Sequence, residues 1–115
     1  MMQKRIMVID DDRETAESIS EFLVSKGWDV SLFYSSKEVF ANQDNRADVI
    51  IVDFELPDID GTLLLQELLG ENPDATGIII SANPAWEIRQ KALEIGAKYF
   101  FPKPINLNLL AERIK

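Results

Sequence analysis

Polar residues that could do chemistry stand where several apolar runs of this sequence end. Three consecutive aspartates, Asp10 to Asp12, follow the first run, and Asp53 ends a later one. Ser81 and Lys103 follow two further runs. Carboxylate oxygens are preferred ligands of hard divalent cations, so converging aspartates could hold such an ion. A serine hydroxyl and a lysine ammonium beside them could bind an anionic group.

Each of these residues also has a purely structural explanation. An aspartate run after a strand is commonly a solvated turn, and we expect Asp12 to cap the first helix. Ser81 could cap a helix that begins near Pro84, while Asp53 could be a turn residue. A single lysine such as Lys103 is usually a surface charge. The functional interpretation therefore requires that these positions meet at one place in the fold.

Short β-branched runs alternate with amphipathic helical patterns along the chain, which indicates βα units around a parallel sheet. Five such units can be recognised. The third and fourth runs are almost wholly apolar, as expected for interior strands with helices on both faces. The predicted strands are Arg5 to Ile9, Trp28 to Phe33, Val49 to Val52, Ile78 to Ile80 and Tyr99 to Phe101.

Apolar residues repeat at helical spacing between and after these strands. We expect Gly27, Gly70 and Gly96 to end three of the helices. In an open parallel sheet, ligands bind beyond the carboxyl ends of the strands, where the polar residues described above should lie. The predicted helices are Arg13 to Lys26, Ser36 to Ala41, Leu63 to Leu69, a helix from Pro84 to the residue before Gly96, and a last one containing Leu107 to Ile114.

The composition limits the possible functions. A chain of 115 residues is long enough for one domain and too short for two. The sequence has no cysteine and no histidine, which excludes disulfides, thiolate metal sites and imidazole catalysis. The net charge of −8 disfavours binding to nucleic acid or to anionic membranes. Because no apolar run could span a bilayer or form a signal-peptide core, we expect a cytoplasmic protein.

Four stretches of the sequence resemble, in order, the marks of the receiver domain of bacterial two-component response regulators. The resemblance implies a (βα)5 fold, a doubly wound parallel five-stranded sheet with the flavodoxin-like strand order 2-1-3-4-5. It also implies one receiver domain over residues 1–115, alone or as the N-terminal part of a longer regulator. The stretches are Val8-Ile9-Asp10-Asp11-Asp12, Val52-Asp53-Phe54-Glu55-Leu56-Pro57-Asp58-Ile59-Asp60-Gly61, Ser81-Ala82 and Gly96-Ala97-Lys98-Tyr99-Phe100-Phe101-Pro102-Lys103-Pro104.

The resemblance makes Asp53 the residue that receives a phosphoryl group from a histidine kinase in a Mg²⁺-dependent reaction. By the same resemblance, Asp11 and Asp53 contact the Mg²⁺ ion directly, Asp10 acts through water, and Glu55 contributes its backbone carbonyl. Without the cation, carboxylates in one pocket repel each other, so at least one should have a raised pKa. We therefore expect Mg²⁺ to stabilise the fold.

The resemblance also assigns residues to the phosphoryl group and to the conformational switch. Lys103 would balance the charge on the phosphoryl oxygens, and the Ser81 hydroxyl would donate a hydrogen bond to one of them. Ser81 and Phe100 would form the switch pair, and the family's tyrosine hydroxyl is missing at Phe100. Side chains at Glu55 and Asn83 would flank the phosphoryl group and control the access of water.

Further expectations concern the backbone and the partners. The Lys103–Pro104 bond should be cis, Gly61 should permit a tight entry into the third helix, and Phe101 should pack in the core. Trp86 and Tyr99 lie on or near the face of the fourth helix and fifth strand, through which many receivers dimerise or meet targets. The expected partners are a sensor histidine kinase, a downstream effector domain or target protein, and a second copy bound through the face of helix 4, strand 5 and helix 5.

Three other functions fit this sequence less well than that of a receiver. Haloacid-dehalogenase-type phosphatases use a similar set of residues, but their nucleophile lies on the first strand, and here the acidic pair comes first. A flavodoxin-like redox module needs a hydroxyl- and Gly-rich loop after strand one, where this chain has aspartates that would repel a phosphate. A degenerate docking receiver usually lacks the acceptor or the lysine, and both are present. We therefore expect a signalling domain that catalyses only its own phosphorylation and dephosphorylation.

Overall fold

Five parallel strands form one sheet in the computed structural model, which describes residues 3–115. The strands are β1 (Arg5–Ile9), β2 (Asp29–Phe33), β3 (Val49–Asp53), β4 (Thr76–Ser81) and β5 (Ala97–Pro102). The order in the sheet is β2-β1-β3-β4-β5, so the predicted strand order is confirmed. Strand β3 lies at the centre and all of its residues are buried, which explains why its sequence is apolar up to Asp53.

Five helices alternate with the strands, as the sequence predicts. They are α1 (Arg13–Ser25), α2 (Ser36–Ala41), α3 (Gly61–Glu71), α4 (Trp86–Glu94) and α5 (Leu107–Ile114). Two apolar cores lie on the two faces of the sheet. One contains Leu64, Leu65 and Leu68 of α3. The other contains Ile19 of α1 and Leu110 of α5.

Two of the three predicted glycine stops are confirmed. Gly27 and Gly96 have φ angles of 90° and 104°, a left-handed conformation that other residues rarely adopt. Gly70 does not end its helix, because α3 continues to Glu71. Asn72 ends α3 instead, since its side-chain amide donates to the carbonyl oxygens of Leu68 and Asn45.

The start of α4 also differs from the prediction. The helix begins at Trp86, two residues after Pro84, and the carboxamide oxygen of Asn83 accepts a hydrogen bond from the N–H of Ala85. Ser81 therefore does not cap this helix. Asp12 does occupy the N-cap position of α1, but its carboxylate accepts from the Thr15 hydroxyl rather than from a backbone N–H.

Backbone hydrogen bonds hold the carboxyl ends of β3, β4 and β5 together. The N–H of Phe54 donates to the carbonyl of Ile80 at 2.8 Å, and the N–H of Lys103 donates to the carbonyl of Ser81, also at 2.8 Å. Residues that follow these strands are therefore fixed to one edge of the sheet. Among the described residues, no helix has the length and apolar character needed to cross a bilayer.

Gly61 lies against the backbone of Asp53 at the start of α3. A Cβ at this position would lie 2.1 Å from the Asp53 carbonyl oxygen, so Gly61→Ala forces the backbone apart. We expect the variant to lose about 3 kcal/mol of unfolding free energy, at the upper end of the usual cost of overpacking. Urea denaturation measures this loss.

Gly70→Ala is the matched control, because a Cβ there meets nothing within 4 Å and the residue lies inside α3. It should raise the unfolding free energy by up to about 1 kcal/mol, since alanine favours a helix over glycine. Equal effects of the two substitutions would contradict the close contact at Gly61.

Candidate functional site

The structure brings the predicted site residues together at the carboxyl edge of the sheet. Asp10 follows β1, Asp53 ends β3, Ser81 ends β4 and Lys103 follows β5. Three of them, Asp10, Asp53 and Ser81, are buried although they are polar. Burying a polar group is unfavourable unless it is paired, so their positions suggest a site and not solvated turns.

Three carboxylates form an acidic cluster at this edge. One carboxylate oxygen from each of Asp10, Asp11 and Asp53 lies within 4.8 Å of the others. Asp10 and Asp53 are buried, whereas Asp11 is exposed at the mouth. The backbone N–H of Asp12 donates to Asp10 Oδ1 at 3.0 Å, and that of Glu55 donates to Asp53 Oδ1 at 3.2 Å. The second oxygen of each buried carboxylate is thus left facing the cluster.

Lys103 is the cation that faces this cluster. Its Nζ lies 2.9 Å from Asp10 Oδ2 and 3.3 Å from Asp53 Oδ2. Although burial works against its charged form, the two carboxylates raise the pKa of Lys103 above its usual value. One ammonium cannot neutralise three carboxylates, so the cluster keeps an excess of negative charge.

The pKa of Asp53 is raised by burial and by the neighbouring carboxylate of Asp10. Burial first and the charge of Asp10 second raise the pKa of Asp53 from 3.8 to about 7, while Lys103 opposes the shift. The sequence predicted such a shift for at least one carboxylate. Asp53 therefore changes its charge near neutral pH when no further cation is bound.

The cluster fits a hard divalent cation. Its three carboxylates offer only oxygen ligands, which Mg²⁺ and Ca²⁺ prefer. Asp10 Oδ2 is fully buried, and despite the nearby ammonium it receives no well-directed hydrogen bond from the described residues. Lys103 is shared between Asp10 and Asp53, so a bound cation would offset the negative charge that this ammonium leaves uncompensated.

The family comparison agrees with this geometry. Residues 6–115 match the response regulator receiver domain. The chain belongs to this family. It is a receiver domain of two-component signal transduction, with the fold that such domains share.

Known relatives support the assignment over the whole receiver. Response regulator MprA of Mycobacterium tuberculosis is 30% identical over 115 residues, which cover 99% of this chain and 50% of MprA. The chain therefore spans about half the length of the curated relatives it matches. A cyclic di-GMP phosphodiesterase of Thermotoga maritima is 29% identical, over 95% of this chain and 29% of that protein.

Solved structures resemble this receiver closely. The BeF3-activated receiver domain of DrrB has a TM-score of 0.91 at 26% identity and covers 98% of this chain and 95% of that domain. DrrB is a Thermotoga maritima homologue of OmpR and PhoB. A CheY-like receiver domain protein of Methanospirillum hungatei has a TM-score of 0.88 at 28% identity and covers 98% of this chain and 91% of that chain.

The expected backbone feature of this receiver is present. The Lys103–Pro104 peptide bond is cis, as predicted. It follows the hydrogen bond between the Lys103 N–H and the Ser81 carbonyl. The lysine side chain leaves the end of β5 at this point and reaches Asp10 and Asp53.

Ser81 and Phe100 lie on the same face of the sheet. Phe100 pairs in register with Ile79, and Ser81, two residues further along β4, pairs with Pro102. The half-buried Phe100 ring packs against the core on the α3 side, and the Arg89 guanidinium lies 5.2 Å from its centroid. Phe101 points to the opposite core, as predicted, and is 5% exposed.

The side chain of Glu55 makes contacts that the sequence did not predict. Its Oε2 accepts a hydrogen bond from the Ser81 hydroxyl at 2.5 Å, and its Oε1 accepts one from the Ala82 N–H at 3.0 Å. The sequence placed Glu55 beside the site but gave no signal for this pairing, because 26 residues separate the partners of the first bond.

Asp11 allows a direct test of the cation site. Asp11→Asn should remove most of the stabilisation that Mg²⁺ gives the fold, because it removes a carboxylate without disturbing a buried contact. At 100 times its dissociation constant, a cation that binds only the folded state adds about 2.7 kcal/mol of unfolding free energy. Urea denaturation in EDTA and in excess Mg²⁺ measures this difference.

Asp12→Asn is the matched control for this test, because Asp12 adjoins the cluster but its carboxylate accepts from the Thr15 hydroxyl. It should keep the full Mg²⁺ effect. Asp10→Asn should weaken Mg²⁺ binding less than Asp11→Asn if Asp10 acts through water. Equal loss of binding in these two variants would contradict that assignment.

Proposed function

We propose that this receiver accepts a phosphoryl group on Asp53 from a sensor histidine kinase in a Mg²⁺-dependent reaction. The observation that carries the proposal is the position of Asp53, which is buried at the end of β3 within the acidic cluster and 3.3 Å from Lys103 Nζ. Phosphorylation of Asp53 then alters the conformation of the receiver, and this conformational change controls a downstream output.

The carboxylates of Asp10, Asp11 and Asp53 would hold Mg²⁺, together with the backbone carbonyl of Glu55. When bound, this ion supplies positive charge that offsets the repulsion between a carboxylate and a phosphoryl group. Asp53 attacks the phosphorus atom through Oδ2, and the bond between phosphorus and the donor breaks. Hydrolysis later returns Asp53 to a free carboxylate and releases inorganic phosphate.

Two residues would stabilise the added phosphoryl group. Lys103 leaves its contact with Asp10 and places its ammonium against the phosphoryl oxygens. Ser81 donates its hydroxyl proton to one of these oxygens, a charge-assisted hydrogen bond. The proposed activity is limited to this self-modification and its reversal, with no separate substrate turned over by the receiver.

Ser81 and Phe100 would carry the signal away from the site. Their side chains lie on one face of β4 and β5, so movement of Ser81 toward Asp53 frees space beside Ile79 into which the Phe100 ring can turn. The ring would then lose its contact with Arg89 on α4. NMR signals of Phe100 that do not respond to beryllofluoride, a mimic of the phosphoryl group, would contradict this route.

The α4–β5–α5 face is the proposed output surface, where a second copy of the receiver binds. Leu93 and Leu109 are exposed on it, and Arg89, Lys98 and Arg113 line the groove between them. The same two helices carry exposed carboxylates at Glu94 and Glu112, which can meet these cations across a two-fold axis. Sedimentation with and without beryllofluoride tests this dimer.

We propose further that the receiver is the N-terminal part of a longer regulator, since the MprA proteins it matches are about twice as long. The rest of such a regulator would supply the effector domain, and the receiver itself would contact neither nucleic acid nor membrane. Because a histidine kinase draws its phosphoryl group from ATP, the proposed compartment is the cytoplasm.

Acetyl phosphate provides the direct test of this function. Incubation with Mg²⁺ should add one phosphoryl group to the protein, and reduction of the acyl phosphate with labelled borohydride should mark Asp53 in peptide maps. Label on Asp10 or Asp11, or no modification at all, would contradict the proposed acceptor.

A further inference from the structure

The Glu55 carboxylate occupies two neighbouring hydrogen-bond donors at the end of β4. One of its oxygens accepts from the Ser81 hydroxyl at 2.5 Å, and the other accepts from the Ala82 N–H at 3.0 Å. The Ser81 oxygen in turn accepts from the Asn83 N–H at 2.9 Å. A hydroxyl has one proton, and the short bond to a charged acceptor takes it in preference to the Asn83 carbonyl 3.1 Å away.

Glu55 is also tied to the proposed phosphoacceptor through its backbone. Its N–H donates to Asp53 Oδ1 at 3.2 Å, and its strand segment forms an isolated antiparallel bridge with Asp60. The backbone of Glu55 thus orients Asp53, while the Glu55 side chain accepts the hydrogen bonds of the Ser81 hydroxyl and the Ala82 N–H. The Ser81 hydroxyl is the group expected to bind a phosphoryl oxygen on Asp53.

We propose that Glu55 is an internal occupant of the phosphoryl subsite, which holds Ser81 and Ala82 until a phosphoryl group on Asp53 displaces it. This inference rests on the proposed function. Two anionic acceptors cannot share the single proton of Ser81, and they repel each other when they are close. Glu55 is exposed, so its displaced carboxylate enters water without a burial cost.

The internal occupant lowers the apparent affinity of the subsite for its ligand. The ligand can use both donors only in molecules whose Glu55 carboxylate has moved away from Ser81 and Ala82. The measured dissociation constant is therefore the intrinsic constant divided by the fraction of such molecules. A hydrogen bond to a charged acceptor changes an equilibrium by about 10-fold or more. Glu55→Ala should therefore bind beryllofluoride about 10-fold more tightly than the wild type in Mg²⁺.

The experiment is a beryllofluoride titration in saturating Mg²⁺, followed by amide NMR of the wild type and of Glu55→Ala. Asp12→Asn is the matched control, since it removes a negative charge near Lys103 without touching Ser81. It should change the half-saturation point much less than Glu55→Ala does. In the Ser81→Ala background the gain from Glu55→Ala should shrink, because the hydrogen bond between Glu55 and the Ser81 hydroxyl is already gone.

A second readout does not depend on phosphorylation. In EDTA, without beryllofluoride, Glu55→Ala should shift the Ala82 amide resonance upfield and speed its hydrogen exchange, because the amide loses its carboxylate acceptor. An unchanged Ala82 amide would overturn the proposal, and so would equal half-saturation in the wild type and Glu55→Ala. If no variant binds beryllofluoride, the proposed function fails along with the displacement, a result distinct from binding that ignores Glu55.

Discussion

Asp53→Asn should reduce phosphorylation by acetyl phosphate and Mg²⁺ to less than one hundredth of the wild-type level. The carboxamide is nearly the same size as the carboxylate, yet its oxygen is a poor nucleophile and a weak ligand for Mg²⁺. Both changes act on the step that forms the bond to phosphorus. The loss is measured as incorporated phosphoryl groups, by mass spectrometry of the intact protein.

Asp58→Asn is the matched control in the same loop. Its carboxylate accepts from the Ser36 hydroxyl at 2.5 Å and lies outside the acidic cluster, so phosphorylation should persist. Removal of Mg²⁺ with EDTA should reproduce the loss seen in Asp53→Asn. A modification of Asp53→Asn that hydroxylamine removes would place the acyl phosphate on another carboxylate and refute the assignment. A modification of this variant that resists hydroxylamine would be a serine or threonine ester, and would not contradict the assignment of the wild-type acyl phosphate to Asp53.

In this structure, residues of the chain itself occupy the positions that the proposed reaction would give to Mg²⁺ and to the phosphoryl group. Lys103 supplies a cation between Asp10 and Asp53, and Glu55 supplies an anion to Ser81 and Ala82. Under the proposed function, phosphorylation would exchange these internal partners for Mg²⁺ and the phosphoryl group. The free energy available to the switch is the difference between these two sets of contacts.

The sequence predicted the strands and the edge where the site lies, because apolar runs in a parallel sheet end at polar residues. It predicted the limits of β4 less well. This strand begins at Thr76, two residues before the apolar run, because Gly77 and Thr76 pair with β3 through backbone hydrogen bonds that no side-chain pattern reveals. Strand pairing, rather than hydrophobicity, sets that boundary.

The wrong prediction for the end of α3 has a different cause. Gly70 matched the pattern of a helix stop, but tertiary contacts of Asn72 set the end of the helix. The Asn72 side chain donates to the carbonyl of Asn45 and accepts a hydrogen bond from the N–H of Ala47. The hydrogen bonds from Ser81 and Ala82 to the Glu55 carboxylate were not predicted for the same reason. A side chain that bonds to a distant loop has no local pattern, so it can be found only once the loops are placed together.

The free energy of unfolding without metal should fall as the pH rises from 5 to 7. The folded pKa of Asp53 is raised from 3.8 to about 7. Below pH 3.8 the residue is protonated in both states, whereas between these values only the folded protein retains the proton. Stability is therefore lost as the pH rises toward 7, by about 2 kcal/mol between pH 5 and pH 7.

This pH window is favourable because few other groups titrate in it. The chain has no histidine. Asp12, Asp58 and Asp60 have pKa values lowered below 3.8, so the stability they contribute is lost only on further acidification. Lys103 has a raised pKa and keeps its charge throughout the window. The slope between pH 5 and pH 7 thus reports mainly on Asp53.

Asp53→Asn should flatten this slope in EDTA, because the carboxamide cannot titrate, and the variant should be more stable than the wild type at pH 7. Saturating Mg²⁺ should flatten the wild-type slope as well, since the cation favours the ionised carboxylate and lowers its pKa. Urea denaturation at several pH values, with EDTA or Mg²⁺, measures both effects. If Asp53→Asn kept the wild-type dependence of unfolding free energy on pH, another group would bind the proton. The raised pKa of Asp53 would then not explain the pH dependence.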